Sequence, residues 1–269
     1  MNENQILAVW GNPSSGKTTA SIKIAKELSE REKNVIVVFC DVLCPTTVTI
    51  LPHMDLENKS LGRLLSAPSI TQADILSECI ILGKNEYLSF LGYAQGENVF
   101  TYAEFSKERA MDLLILLRHL ADYVIVDCSS NFTSDILSTT ALEMADKVIR
   151  LKSVNLKSVS YFDSYLPLLA DRRFNVEKHI KALSNVKDNE PKEQIKEKYH
   201  GVKHELLHVE EITEQFLCGE LLNNLKSKEK EEYDKSLREL IALVLDEKLE
   251  EAQKEKSKAF SWFKGGKNR

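Results

Sequence analysis

The sequence predicts an α/β fold: a doubly wound, mostly parallel sheet with a phosphate-binding loop after its first strand and a long C-terminal helix. Three observations carry this. Short apolar runs rich in β-branched residues alternate with stretches of helical periodicity, the pattern of strands covered on both faces by helices. The first run, Leu7 to Trp10, leads into Gly11-Asn12-Pro13-Ser14-Ser15-Gly16-Lys17-Thr18-Thr19, which fits G-x-x-x-x-G-K-[ST] at every fixed position. A later run, Tyr123 to Val126, delivers Asp127 at its carboxyl end.

The loop's spacing has a chemical reason. Gly11 and Gly16 let the backbone curl so that successive N–H groups point inward at phosphate oxygens. Lys17 adds a positive charge for the β and γ phosphates, and the Thr18 hydroxyl can ligate Mg²⁺. Ala20 to Leu28 carry apolar residues at helical spacing, so the loop opens a helix whose N-terminus favours an anion. A chance turn rich in Gly, Ser and Pro would not need the strand before it and the helix after it.

The remaining elements follow in order. Asn34 to Cys40 is a continuous apolar run ending at Asp41, the signature of a strand buried on both faces. Pro45 and Pro52 punctuate an irregular loop. Helical periodicity returns from Leu61 to Leu65 and from Thr71 to Leu82, and Glu86 to Tyr93 reads as a third strand. Ser106 to Leu120 is a helix with Ala110, Leu113, Leu114 and Leu117 on one stripe. Beyond the strand ending in Asp127 come a helix (Ser134 to Ala145), a strand (Lys147 to Lys152), a helix (Leu156 to Leu169) and a strand (Ile180 to Ser184). A charged segment, Lys187 to Lys198, precedes a last strand from Glu205 to Val209. From Glu229 to about Lys258, Leu237, Leu240, Ile241, Val244, Leu245 and Leu249 form a helical stripe under many charges. Residues 1–250 are expected to form one domain and 251–269 a charged, aromatic-containing tail. Ligands of such a sheet bind outside the carboxyl ends of its strands, where the loop and Asp127 both lie.

Composition narrows the possibilities. The 269 residues suffice for one large α/β domain, and a net charge of −5 drives the chain onto neither nucleic acid nor anionic lipid. Five cysteines without a C-x-x-C pair suit buried thiols in a reducing cytoplasm better than a disulfide framework. No signal peptide and no apolar run of about 18 residues is expected, so a cytoplasmic protein is the default.

The loop at Gly11, the strands ending in Asp41 and Asp127, and Ala145-Asp146 before the next strand resemble the MinD/ParA group of P-loop ATPases. Within that group the sequence looks most like the TadZ/CpaE proteins, which help localise pilus assembly machinery. The resemblance runs from about Leu7 to Val244 and implies a P-loop NTPase fold, ATP with Mg²⁺, and a nucleotide-dependent homodimer. It places Gly11, Asn12, Pro13, Ser14, Ser15, Gly16, Lys17, Thr18 and Thr19 around the phosphates, with Thr18 and Asp127 on the metal side. It also implies that Asn185 reads the adenine edge; the alternative for Asn185 is a turn residue.

Two positions depart from the family. Members with the deviant loop carry a Lys directly after the first Gly, where this chain has Asn12. Members also often carry a second carboxylate at the end of the second strand, where this chain has Leu43. Phosphoryl transfer rests on positioning and charge stabilisation, so these losses slow hydrolysis more than they weaken binding. Asp41 is left to position water or contact the metal, alongside Lys17 and Asp127 as candidate catalytic residues; the alternative is a loop Asp capping the next turn.

Three further patterns each admit a functional and a structural reading. Phe260, Trp262 and Phe263 with nearby basic residues could make peripheral contact with a membrane, at about 1 kcal/mol per basic residue, although Gly265-Gly266 and the small apolar area favour an unstructured tail or a docking motif. His200, His204 and His208 recur every four residues but lack a completing Cys or carboxylate cluster. Arg172, Arg173, Lys178 and Lys181 could touch DNA. The favoured expectation is an ATP-binding localisation factor with protein partners in a membrane-associated assembly. The alternatives are a partition-type ATPase that binds DNA non-specifically and a P-loop kinase acting on a small acceptor.

Overall fold

Ile6, Ala8 and Trp10 pack into one hydrophobic layer and Leu7 and Val9 into another, and none is more than 1 % exposed. A strand buried on both sides needs helices on both sides. The computed structural model describes residues 4–247 apart from 55, 57, 58 and 84. Among the described residues the strands are β1 (Gln5–Gly11), β2 (Val35–Phe39), β3 (Ile80–Leu82), β4 (Asn85–Leu91), β5 (Tyr123–Asp127), β6 (Lys147–Ser153), β7 (His179–Val186) and β8 (His204–Leu207). They form one sheet in the order β3-β4-β2-β5-β1-β6-β7-β8. Every pairing is parallel except the β3–β4 edge.

The helices divide between the two faces. The layer containing Leu7 and Val9 is closed by α1 (Lys17–Ser29), whose Ile22, Ala25 and Leu28 are buried, together with α2 (Thr47–Ile50). The other layer is closed by α3 (Leu61–Ser66), α4 (Gln72–Glu78), α5 (Lys107–Leu120), α6 (Ile136–Met144), α7 (Leu156–Tyr165) and α8 (Lys192–Tyr199). The final pair, α9 (Glu210–Leu217) and α10 (Lys230–Leu245), returns to the α1 side. Ala110, Leu113, Leu114 and Leu117 of α5 are fully buried, as their stripe predicts. β1 is flanked by β5 on one side and β6 on the other, so the chain reverses its winding there and leaves a crevice at the carboxyl ends.

Several boundaries differ from the sequence expectation, each for a local reason. The helix expected from Thr71 to Leu82 stops at Glu78, and Ile80 to Leu82 instead pairs antiparallel with β4 as an edge strand. The helix expected to reach Leu169 ends at Tyr165, because Pro167 begins a 3-10 turn over Leu166–Ala170. The charged segment before the last strand contains α8, held by Ile195 and Tyr199 one turn apart. A further helix, α9, lies where none was expected.

The C-terminal helix is shorter than its charge pattern suggests. It ends at Leu245, and Asp246 turns left-handed with φ 54°, its carboxylate 2.8 Å from Lys147 Nζ. Leu249, the expected extension to Lys258 and the tail 251–269 lie outside the described residues. No helix among the described residues is long and apolar enough to cross a membrane.

Candidate functional site

β1 ends at Gly11, where space demands a glycine: a Cβ there would sit 2.1 Å from the Leu151 carbonyl oxygen and 2.8 Å from Ser15 Oγ. The turn that follows uses left-handed backbone twice, at Ser14 (φ 59°) and at Gly16 (φ 77°), immediately before α1. Such changes of hand turn successive amides towards one centre. Ser15 is fully buried, its N–H on the Asn12 carbonyl and its own carbonyl accepting from Ser184 of β7. Pro13 and Ser14 form the exposed lip.

Lys17 and Asp127 face each other across this turn. Lys17 Nζ donates to Ser130 Oγ at 2.6 Å and to the Asn12 carbonyl at 3.3 Å. Burial pulls its ammonium below the usual lysine range, while Asp127, Cys128 and Asp41 push the other way. Thr18 Oγ1 donates to Asp127 Oδ2 at 2.6 Å. Burial lifts the Asp127 carboxyl to about 6, with Lys17 and Thr18 opposing the rise and Asp41 adding to it.

Asp127 Oδ1 is buried and makes no hydrogen bond of standard geometry. An orphaned carboxylate oxygen, a hydroxyl beside it and an ammonium at a glycine-lined turn are a donor set that fits Mg²⁺ and a polyphosphate. Magnesium takes few protein oxygens and keeps waters and phosphate oxygens for the rest. Among the described residues no group of three or more His, Cys, Asp and Glu could hold a metal ion.

The packing of the neighbouring loop explains Ser130. Trp10 Nε1 donates to the Ser130 carbonyl at 3.2 Å, and the Tyr161 hydroxyl donates to the same oxygen. Trp10 is itself held edge-on by Phe132 and Phe162. The aromatic cluster beneath the sheet's end thus sets where the Lys17 partner stands.

Asn12 points inward and is only 4 % exposed. Its Oδ1 accepts from Ser153 N at 3.1 Å and Ser158 Oγ at 2.7 Å, while Nδ2 donates to the Pro13 carbonyl and Ser153 Oγ. The residue therefore clips the loop to β6 and α7 and does not turn a side chain outward to a ligand. Asp41 behaves as the capping alternative predicts: Oδ1 accepts from the N–H groups of Leu43 and Cys44 at 2.9 and 3.2 Å. Its charge still reaches Lys17 and Asp127. Leu43 is 83 % exposed.

On the other side of the loop, a cavity of about 150 Å³ is lined by Ser14, Gly16 and Thr19, by Asn185 at the end of β7, and by apolar side chains of β8 and α9. Asn185 is exposed and left-handed (φ 59°), and its Oδ1 lies 2.6 Å from His208 Nδ1. The phosphate loop and the Asn185 cavity are thus continuous.

The three histidines do not converge on a metal. His208 contacts Asn185 and Glu210, while His204 Nε2 is buried without a hydrogen bond. The basic set is largely occupied: Arg173 pairs with Glu143 and Asp171, Lys178 donates to the Glu143 carbonyl, and Lys181 to the His200 carbonyl.

Sequence reasoning missed Ser130, the Ser153–Ser158 clip, His208 as a partner of Asn185, and Asp135. Asp135 caps α6 by accepting from the N–H groups of Leu137 and Ser138, and burial lifts its carboxyl to about 6. A cap signal was present in Asp135 preceding an apolar helical run.

The sequence model of a family described as AAA domain matches residues 8–166. The fold is that of a ParA family ATPase from Chlorobium tepidum TLS, at 16 % identity and TM-score 0.72 over 88 % of this chain and 97 % of that one. A putative plasmid partition protein from Borrelia burgdorferi B31, solved with AMPPNP, matches at 16 % identity and TM-score 0.68, covering 89 % of this chain and 98 % of the other. The septum site-determining protein MinD from Pyrococcus horikoshii OT3, solved with Mg-ADP, matches at 16 % identity and TM-score 0.68, covering 89 % and 96 %. No curated protein matches the chain in sequence. At these identities the likeness establishes the architecture, a P-loop NTPase fold of the ParA/MinD kind.

Proposed function

Because the chain belongs to the AAA-domain family, we propose that it binds ATP with Mg²⁺, dimerises in response, and serves as a TadZ/CpaE-like localisation factor for a membrane-associated assembly. The observation that carries this reading is the juxtaposition of Lys17 and the Thr18–Asp127 pair at a glycine-lined turn that opens onto the Asn185 cavity. Polyphosphate, metal and base each have a place in one crevice. Lys17 and the loop amides hold the phosphates, and Thr18 and Asp127 hold the metal, which neutralises phosphate charge when bound.

Turnover is slow in this reading. Asn12 is spent inside the protein, Asp41 caps its own loop, and the exposed Leu43 offers no carboxylate. The site therefore keeps its binding groups and lacks groups to orient an attacking water. A nucleotide-stabilised state that persists suits a protein whose product is an assembled complex. Partition on DNA is the weaker reading, since three of the four basic residues it needs are engaged within the chain.

Light scattering with and without ATP–Mg²⁺ tests the proposal, alongside calorimetric titration of ATP. The expected result is tight binding, a doubling of mass with ATP and little phosphate release. A monomer at saturating ATP removes dimerisation, and ATP-dependent, salt-sensitive DNA binding replaces the localisation reading with the partition one.

A further inference from the structure

Only two of the eight residues of α9, Ile212 and Gln215, are buried. The helix nevertheless walls the cavity beside the phosphate loop, through Ile212, Thr213 and Phe216. With one apolar side chain inserted, the position of α9 depends on what holds Gln215. Its Oε1 accepts from Lys23 Nζ at 2.6 Å, and the same ammonium donates to the carbonyls of Leu221 at 2.7 Å and Asn223 at 3.3 Å. Lys23 and Gln215 are each 5 % exposed. An ammonium has three donors, and here each meets an oxygen. Two of those oxygens belong to the linker between α9 and α10, which the fully buried Leu221 anchors, and the third belongs to α9 itself.

Lys23 follows Thr19 by four residues and Ala20 by three, so the three share one face of α1, and Thr19 and Ala20 line the cavity. The Lys23–Gln215 contact is thus the joint between the α1 floor of the cavity and its α9 wall. From this geometry we infer that Lys23 is a positioning residue for the nucleoside: it sets the distance of α9 from α1 that a base needs, and holds no phosphate. The role rests on the nucleotide reading of the crevice. Contact energy between a flat ring and a wall falls by a quarter to a half over a gap of about 0.5–1 Å, so a small drift of α9 is felt by the base. Removing the ammonium leaves three buried acceptors without a donor. Such acceptors move towards water, and α9 moves with Gln215.

The test compares ATP with inorganic triphosphate, which carries the phosphates and lacks the base, by calorimetry with Mg²⁺ at about pH 7. Burial and Lys26 lower the Lys23 ammonium to about 8, so it keeps most of its charge there. Wild-type protein is expected to bind ATP about tenfold or more tightly than triphosphate. Lys23→Met keeps the apolar stem and removes the donors; ATP affinity should fall about tenfold while triphosphate affinity stays within about threefold. Gln215→Met leaves the ammonium its two carbonyls and should lose about threefold for ATP alone, which keeps the test available if Lys23→Met does not fold. Gln215→Glu retains an acceptor for Lys23 and should preserve the wild-type ratio; a lost ratio there tells against the clip. A lysine with a structural role alone would lower both affinities together or neither, and either result in folded Lys23→Met or Gln215→Met overturns the inference with nucleotide binding intact. Wild-type protein that binds triphosphate as tightly as ATP overturns it as well, since no base then occupies the cavity. Wild-type protein that binds neither ligand removes the nucleotide reading and the inference with it.

Discussion

Thr18 Oγ1 and Asp127 Oδ2 stand 2.6 Å apart although 109 residues separate them in the chain. The pair joins the first turn of α1 to the carboxyl end of β5, and β5 reaches that point because it lies beside β1 in parallel register, Val9 opposite Asp127. A hydroxyl donating to a buried carboxylate whose other oxygen makes no hydrogen bond of standard geometry is an arrangement of oxygens of the kind that suits a divalent cation. The same arrangement is costly without a cation, and that cost is measurable.

The first prediction concerns pH. Folded Asp127 keeps its proton up to about pH 6, whereas an ordinary aspartate loses it near 3.8. Between those values the folded state binds more protons, so this group's contribution to stability rises as pH falls from about 7 towards 4 and is lost as pH climbs through 6. The displacement corresponds to about 3 kcal/mol. Asp127→Asn removes this penalty and should stabilise the nucleotide-free protein at pH 7.5 by about 1–3 kcal/mol, with little gain at pH 4.5. Urea denaturation at the two values measures it; equal effects at both would exclude the carboxylate as the source. Asp135 titrates in the same window and leaves a residual slope in the variant.

A second prediction separates binding from folding at Lys17. Its ammonium is drawn into a desolvated position with one hydroxyl and one carbonyl as partners. Lys17→Ala should abolish calorimetric ATP binding and the ATP-induced rise in melting temperature. The nucleotide-free melting temperature should move little, because loss of a partly uncompensated buried charge offsets the lost contacts. Retained ATP affinity in a folded variant would remove the phosphate role from the loop.

The loop, its strand and helix, and Asp127 were legible because each is a local pattern: a spacing of glycines, an apolar run, a carboxylate at its end. The stripe of α5 was equally plain. What escaped was set by tertiary partners. Ser130 becomes the Lys17 acceptor only because Trp10 and Tyr161 fix its carbonyl, and His208 acquires meaning only when β8 lies beside β7. Ile80 to Leu82 has an apolar run that continues a helical pattern, and pairing with Phe90 and Ser89 decides otherwise. The inward turn of Asn12 likewise depends on Ser153 and Ser158, more than 140 residues along the chain.

A third prediction uses a buried charge the site does not need. Lys152 is fully buried, with Nζ 4.4 Å from the Phe162 ring centre and 3.8 Å from that of Tyr199. Burial, with Arg150 and Lys181 adding repulsion, lowers its ammonium to about 7 from 10.5. The unfolded chain therefore binds more protons between those values, and stability from this group rises with pH across that window. Cation–π contacts offset only part of the desolvation. Lys152→Met should raise the unfolding free energy at pH 6.5 by about 1 kcal/mol or more and flatten its rise towards pH 10. A loss of stability at pH 6.5 would show that the aromatic cage outweighs desolvation.

The last prediction turns on Asn12, which the family resemblance marks as a missing cation. Restoring a lysine there would be expected to quicken hydrolysis if the charge alone were lacking. The structure argues for a different outcome. Asn12 Oδ1 is the acceptor for both Ser153 N and Ser158 Oγ, and its Nδ2 holds the Pro13 carbonyl. A lysine supplies no acceptor and cannot keep those contacts. Each buried donor left without a partner costs about 1–3 kcal/mol. Asn12→Lys should lower stability by about 2–4 kcal/mol, loosen the loop against β6 and α7, and weaken ATP binding without raising phosphate release. Asn12→Asp keeps the acceptors and should disturb the loop less, which separates the clip from the charge. Faster phosphate release from a fully stable Asn12→Lys protein would show that the loop tolerates the exchange and that charge, not the clip, governs this position.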